Sequence, residues 1–228
     1  MGLGVRRRLG VADTVTLVNA VIGFSAAVVA YTDPGLAARL ILLAAIADAL
    51  DGILARFVGN TEVGPLLDSI TDVVSFGATP ALFIHGVALT TYGPIADADP
   101  MTLAIVVLLP SSFVVFSVVR TAFYTVYVGD DERRPGIQNT LAATILATAY
   151  LAGVAPVPVL LVGTVVLSAL MVAPIPYPKL LARDALVLGV VQAATIVDPT
   201  TYQRLFPRVL LVAAVAYLVL APRFYWGE

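Results

Sequence analysis

The chain has 228 residues, of which 60% are hydrophobic and only 12% charged. That balance excludes an ordinary soluble domain and points to a protein that lives largely in lipid. Thirteen basic and fifteen acidic residues leave a net charge of −2, with no basic tract for nucleic acid, and the lack of cysteine excludes disulfides, thiol chemistry and Cys-ligated metal.

A helix needs ~20 apolar residues to cross a bilayer. Runs of that kind fall at 12–31, 35–57, 65–91, 101–128, 137–153, 156–174, 184–198 and 207–222. The expected fold is therefore an all-α, polytopic membrane helix bundle of about eight transmembrane helices, in a single domain over 1–228. Arg6-Arg7-Arg8 precede the first run, and no small-residue cleavage site closes it, so it reads as a retained span. This run carries Thr16 and Asn19, which suit an interhelical hydrogen bond. Asp33-Pro34-Gly35 separates it from the second run.

The second and third runs hold the chemistry. Asp48-Ala49-Leu50-Asp51-Gly52-Ile53-Leu54-Ala55-Arg56 closes the second, and Gly64-Pro65-Leu66-Leu67-Asp68-Ser69-Ile70-Thr71-Asp72 opens the third. A three-residue step leaves Asp48 and Asp51 about 60° apart on a helix, and a four-residue step leaves Asp68 and Asp72 about 40° apart. Each pair shares a helix face. Ionised carboxylates in a membrane segment face the protein interior and need partners. Four together cannot neutralise one another, so cations must, and oxygen-only ligation suits Mg²⁺, Mn²⁺ or Ca²⁺. Gly52, Ala55 and Gly64 thin the helices for close approach of a bulky group such as a nucleotide. Arg56 adds a fork that suits phosphate. The set reads as a phosphoryl-transfer site.

Pro80 is expected to kink the third run rather than end it. His85, far along that run, is not expected to act as ligand or base. Arg120 lies inside the fourth run, where a charge is costly. It serves either the site, near a carboxylate or phosphate of the acceptor, or a structural ion pair. Tyr124 and Tyr127 read as packing or interface residues. Asn139 and Thr140 open the fifth run at a helix N-terminus, which favours an anionic group. Arg120, Asn139 and Thr140 are the candidate acceptor contacts. Tyr225 and Trp226 read as interfacial anchors. With the N-terminus inside, Arg6, Arg7, Arg8, Arg56, Arg133, Arg134, Lys179, Arg183 and Arg223 fall on the cytoplasmic side, and Arg39, Arg204 and Arg208 fall outside. That asymmetry satisfies the positive-inside tendency and turns the aspartates toward the cytoplasm.

The spacing from Asp48 to Asp72 resembles the signature of the CDP-alcohol phosphatidyltransferase family. All eight fixed positions are present, as Asp48, Asp51, Gly52, Ala55, Arg56, Gly64, Asp68 and Asp72, with a seven-residue gap after Arg56. The run from Asp68 through Ser75-Phe76-Gly77 to Pro80-Ala81 is similar to the phosphatidylserine synthase branch. So are Arg120-Thr121-Ala122-Phe123, which lacks that branch's second arginine, and Gly136-Ile137-Gln138, with Gln138 in place of proline. Met171-Val172 followed by Tyr177-Pro178-Lys179 completes the likeness, which covers about 14–183.

The resemblance implies an integral membrane homodimer, facing the cytoplasm from the cell membrane. It implies two divalent metal ions, Mg²⁺ or Mn²⁺, held by Asp48, Asp51, Asp68 and Asp72, with Asp72 also the base. It places Asn19 near the nucleotide, beside Gly52, Ala55, Arg56 and Gly64. The expected substrates are a CDP-linked lipid, CDP-diacylglycerol or CDP-archaeol, and L-serine, giving phosphatidylserine or archaetidylserine and CMP. Three other readings stay open: the same chemistry with glycerol phosphate or an inositol phosphate, a divalent-cation transporter, and an intramembrane prenyltransferase.

Overall fold

The computed structural model describes residues 8–59, 61–127, 134–178 and 180–225. Arg6, Arg7, Arg133, Lys179 and Trp226 lie outside these residues, and of Arg134 only the backbone is described. Eight main helices follow one another among the described residues: α1 (Val11–Val29), α2 (Pro34–Val58), α3 (Gly64–Tyr92), α4 (Pro100–Tyr127), α5 (Asn139–Ala152), α6 (Val157–Met171), α7 (Ala182–Val197) and α8 (Thr201–Phe224). The chain is an all-α membrane bundle, as expected. Helices α1, α3, α4 and α8 are long and apolar enough to cross a membrane. The apolar α5 and α6 are shorter, and most of α5 is buried. A helix enclosed by protein need not match the lipid thickness, because its ends do not meet hydrocarbon. Helix α2 is long enough but carries Arg39, Asp48, Asp51 and Arg56.

The expected breakers do their work. Asp33 accepts from the Leu36 amide (2.8 Å) and so starts α2. Asp99 accepts from the Met101 and Thr102 amides and the Thr102 hydroxyl at the head of α4. Those bonds, the Thr102 hydroxyl first, hold its carboxyl below the usual carboxylate range. Helix ends fall within three residues of the expected runs, except the start of α8. There Tyr202, Gln203 and Arg204 take left-handed dihedrals, so regular helix begins nearer the expected position. Pro80 does not end α3. A π-helical turn at Val74–Ala78 precedes it and absorbs the disturbance, as a second one at Ala104–Leu108 does before Pro110.

Small residues bring the helices close, with Ala26, Ala37, Ala38 and Ala44 all fully buried in α1 and α2. Phe76, Phe83, Phe113, Ile41 and Leu146 fill the centre. The three arginines assigned outside cap helix ends remote from the aspartates. Arg39 donates to the Ile196 carbonyl (2.5 Å), Arg204 to Leu151 (3.2 Å) and Arg208 to Ala152 (3.5 Å). His85 is similarly structural. Its Nδ1 sits 2.6 Å from the Val106 carbonyl, inside the second π turn, and its ring meets Tyr31 edge-on.

At the aspartate end, a two-residue antiparallel ribbon pairs Arg134–Pro135 with Pro176–Tyr177. Gly136, at φ +73°, lies so close to the end of α6 that a Cβ would stand 2.0 Å from the Met171 carbonyl oxygen. The Ile137 amide donates to the Leu170 carbonyl (3.1 Å). Together these pin the start of α5 beside the site. Tyr225 extends the same end by bonding Asp184 and the Leu181 amide.

Candidate active site

The last turns of α2 and the first turns of α3 place their aspartates together. One carboxylate oxygen each from Asp48, Asp68 and Asp72 lies within 4.8 Å of the other two. The triad opens on a cavity of about 330 Å³. Asp51 lines this cavity too, but stands outside the triad. It is nearly buried, and the Thr16 hydroxyl donates to its Oδ2 at 2.7 Å. The first-run Thr16 is therefore an interhelical donor, and its acceptor is a site carboxylate. Thr140, at the start of α5, donates to Asp48 Oδ2 at 3.4 Å.

Two arginines face these carboxylates. Arg56, in the last turn of α2, and Arg120, on α4, both line the cavity. Arg120 is 9% exposed, and its guanidinium lies 5.1 Å from the Tyr124 ring centre. Tyr124 also lines the cavity and Tyr127 a neighbouring one. That second cavity, about 370 Å³, is largely apolar. Val119, Phe123, Met171 and Val172 line it, and it shares Arg120 and Tyr124 with the first.

The candidate glycines separate. A Cβ on Gly52 would meet nothing within 4 Å, and Gly52 lines the cavity. Its missing side chain leaves room for a ligand. A Cβ on Gly64 would instead stand 2.9 Å from Asp13 Oδ1. Gly64 is small because Asp13 packs on it, and it does not line the cavity. Ala55 and Asn19 do not line it either. Both polar side-chain atoms of Asn19 are buried without a hydrogen-bond partner among the described residues, and its carbonyl accepts from Ser75 (3.2 Å). Asn139 is 1% exposed and turned aside, its amide donating to Thr121 Oγ1 at 2.9 Å. The neighbouring Gln138 and Thr140 reach the cavity in its place. Gln138, Tyr124, Ser69 and Thr125 are lining residues that the sequence reading did not select. The four-residue step from Arg120 to Tyr124 was the available signal.

The donor set fits a divalent cation. It offers oxygen only, it comes from three converging carboxylates, and Asp72 Oδ1 is buried with no hydrogen-bond partner among the described residues. Arg56 and Arg120 line the same cavity, and guanidinium groups suit phosphate oxygens. Fold and site together define an all-α membrane protein with a cavity lined by clustered carboxylates and two arginines at one end of its bundle.

Comparison with known proteins agrees with that class. The profile of the CDP-alcohol phosphatidyltransferase family matches residues 9–175, and the chain belongs to this family. The chain is 29% identical to the archaetidylserine synthase of Methanothermobacter thermautotrophicus over 143 residues, which are 61% of this chain and 57% of that protein. It is 38% identical to the CDP-diacylglycerol–serine O-phosphatidyltransferase of Methanocaldococcus jannaschii over 82 residues, 36% of this chain and 38% of that one. A Mycobacterium leprae protein of the same description is 42% identical over 59 residues, 25% of this chain and 20% of that one. The matches thus span little more than half of these relatives' length, or less. Family membership sets the chain apart from cation transporters and prenyltransferases.

Proposed function

We propose that the protein transfers a phosphatidyl or archaetidyl group from a CDP-linked lipid to the hydroxyl of L-serine, releasing CMP. The observation that carries this reading is the convergence of Asp48, Asp68 and Asp72 within 4.8 Å, beside a cavity floored by the bare Gly52. The relatives' names supply the acceptor. Asp48, Asp51, Asp68 and Asp72 are the residues to hold two divalent cations, Mg²⁺ or Mn²⁺. When bound, such ions bind the diphosphate and neutralise charge at phosphorus.

The chain's own groups do the rest. Gly52 admits the nucleotide, and Arg56 serves its phosphates. Asp72 accepts the serine Oγ proton as that oxygen bonds the lipid-side phosphorus. The bond from this phosphorus to the CMP oxygen breaks, and CMP leaves with the electron pair. Arg120 holds the serine carboxylate, with Gln138 and Thr140 on the same wall. The apolar cavity beyond Arg120 gives the lipid portion a place next to the reacting phosphate. We place the protein in the cell membrane as a homodimer, its site toward the cytoplasm, on the arginine asymmetry and the family resemblance.

The test is CMP release by the purified protein in lipid, with CDP-diacylglycerol and CDP-archaeol as donors. L-serine, glycerol phosphate and inositol phosphate are offered separately as acceptors. Serine-dependent release that stops with EDTA and returns with Mg²⁺ or Mn²⁺ is expected. Consumption of another acceptor and not serine would overturn the serine assignment, and full turnover in chelator would overturn the metal assignment.

A further inference from the structure

Asp13 sits in the first turn of α1, outside the cavity, and is only 3% exposed. A buried carboxylate in a membrane protein is costly unless its oxygens are satisfied. Two donors converge on its Oδ2: the Gly10 amide at 2.7 Å and the Thr61 hydroxyl at 2.8 Å. The first bond caps α1. The second reaches across to the segment that precedes α3. Thr61 Oγ1 in turn accepts from the Gly64 amide at 3.0 Å. Asp13 Oδ1 lies against Gly64 itself, where a Cβ would come within 2.9 Å.

Helical geometry carries this contact into the site. Gly64, Asp68 and Asp72 follow at four-residue steps, so they share one face of α3. Whatever fixes the first turn at Gly64 fixes the height and rotation of that face. Three residues beyond Asp13, on the same side of α1, Thr16 holds Asp51 of α2. The first two turns of α1 thus touch both carboxylate-bearing helices from behind.

We infer that Asp13 is a positioning residue for the metal-binding aspartates. Through Thr61 and Gly64 it sets where Asp68 and Asp72 stand relative to Asp48. The inference rests on the metal reading of the site, not on the identity of the acceptor. Groups that hydrogen-bond metal ligands directly alter affinity by roughly 10- to 100-fold, and Asp13, acting through the first turn of α3, is expected at the lower end of that range.

The test measures Mn²⁺ binding to the detergent-purified protein by EPR, together with thermal unfolding of the metal-free form. Asp13→Ala should raise the Kd for Mn²⁺ by about tenfold or more. Asp13→Asn should restore near-normal affinity, because both hydrogen bonds enter one oxygen and an amide oxygen can accept both. Asp33→Ala, which removes a comparable cap from the remote end of α2, should lower the unfolding temperature and leave the Kd unchanged. If Asp13→Ala does not fold, Thr61→Val carries the test, with weakened Mn²⁺ binding expected. An Asp13→Ala or Thr61→Val protein that loses stability but binds Mn²⁺ as the unmodified chain does would reduce Asp13 to a helix cap and overturn the inference. Absence of Mn²⁺ binding in the unmodified protein would remove the metal reading and this inference with it. Failure to use serine would touch neither.

Discussion

Asp72→Asn should make the metal-free protein more stable while nearly stopping turnover. The triad holds three carboxylate oxygens within 4.8 Å of one another. At that separation two carboxylates repel by roughly 3.5 kcal/mol at an effective dielectric constant of 20 where both are ionised, and by much less where one keeps its proton. Asp72 takes part in two such pairs. Arg120 lines the same cavity and offsets part of the repulsion, so a net gain of about 1–3 kcal/mol is a reasonable scale. Asparagine keeps the shape and one oxygen, so packing changes little. A general base contributes about 10²- to 10⁴-fold, which is ~3–5 kcal/mol of barrier. The variant should therefore show a higher unfolding temperature in EDTA, a kcat lower by at least ~100-fold, and CDP-lipid binding largely kept. Thermal unfolding with and without Mn²⁺, beside single-turnover CMP release, separates these effects. Near-normal kcat would place the base elsewhere. A lower unfolding temperature in EDTA would mean that repulsion among the three carboxylates does not limit the stability of the metal-free protein.

Other substitutions test other walls of the site. Gly52→Leu should abolish CDP binding in a folded protein, because its side chain enters open cavity space; unchanged CDP affinity would refute the close approach. Gly64→Leu should instead disturb folding or Mn²⁺ binding, since it drives into Asp13. Gly136→Ala should sharply lower the yield of folded protein, by strain at φ +73° and by collision with the Met171 carbonyl; normal yield and unfolding temperature would refute the pinning of α5 to α6. Arg120→Ala should raise the KM for serine far more than that for CDP-lipid, and a fall in stability with both KM values unchanged would make Arg120 a structural ion-pair residue.

Much of the fold was legible because the breakers act locally. Asp33 and Asp99 start helices by accepting from amides two or three residues away, the proline after each presets the first helical φ, and both signals can be read from spacing. The ribbon of Arg134–Pro135 with Pro176–Tyr177 could not be read, since its partners lie far apart and neither strand is long enough to alternate. The π turns were visible only through their consequence, a proline that fails to end its helix. The reach of α5 and α6 was overestimated because apolar length was counted alone. For α5, burial inside protein relaxes the length that lipid would demand.

The site divides along the same line. Spacing within one helix told which aspartates share a face, and the structure brings Asp48, Asp68 and Asp72 to one point. Spacing cannot tell which way a side chain turns when a rival partner waits on another helix. Asn139 opens a helix N-terminus, but Thr121 of α4 takes its amide, and Gln138 lines the cavity instead. Gly64 and Gly52 belong to one motif, yet the first lies against a carboxylate of α1 and the second faces open space. On the proposed reading the two glycines of one motif serve different ends, Gly52 leaving room for the nucleotide and Gly64 admitting the Asp13 brace that aims the protein's own carboxylates. A short motif of this kind specifies a site together with the helix that must stand behind it, and Asp13 is where that second requirement meets this chain.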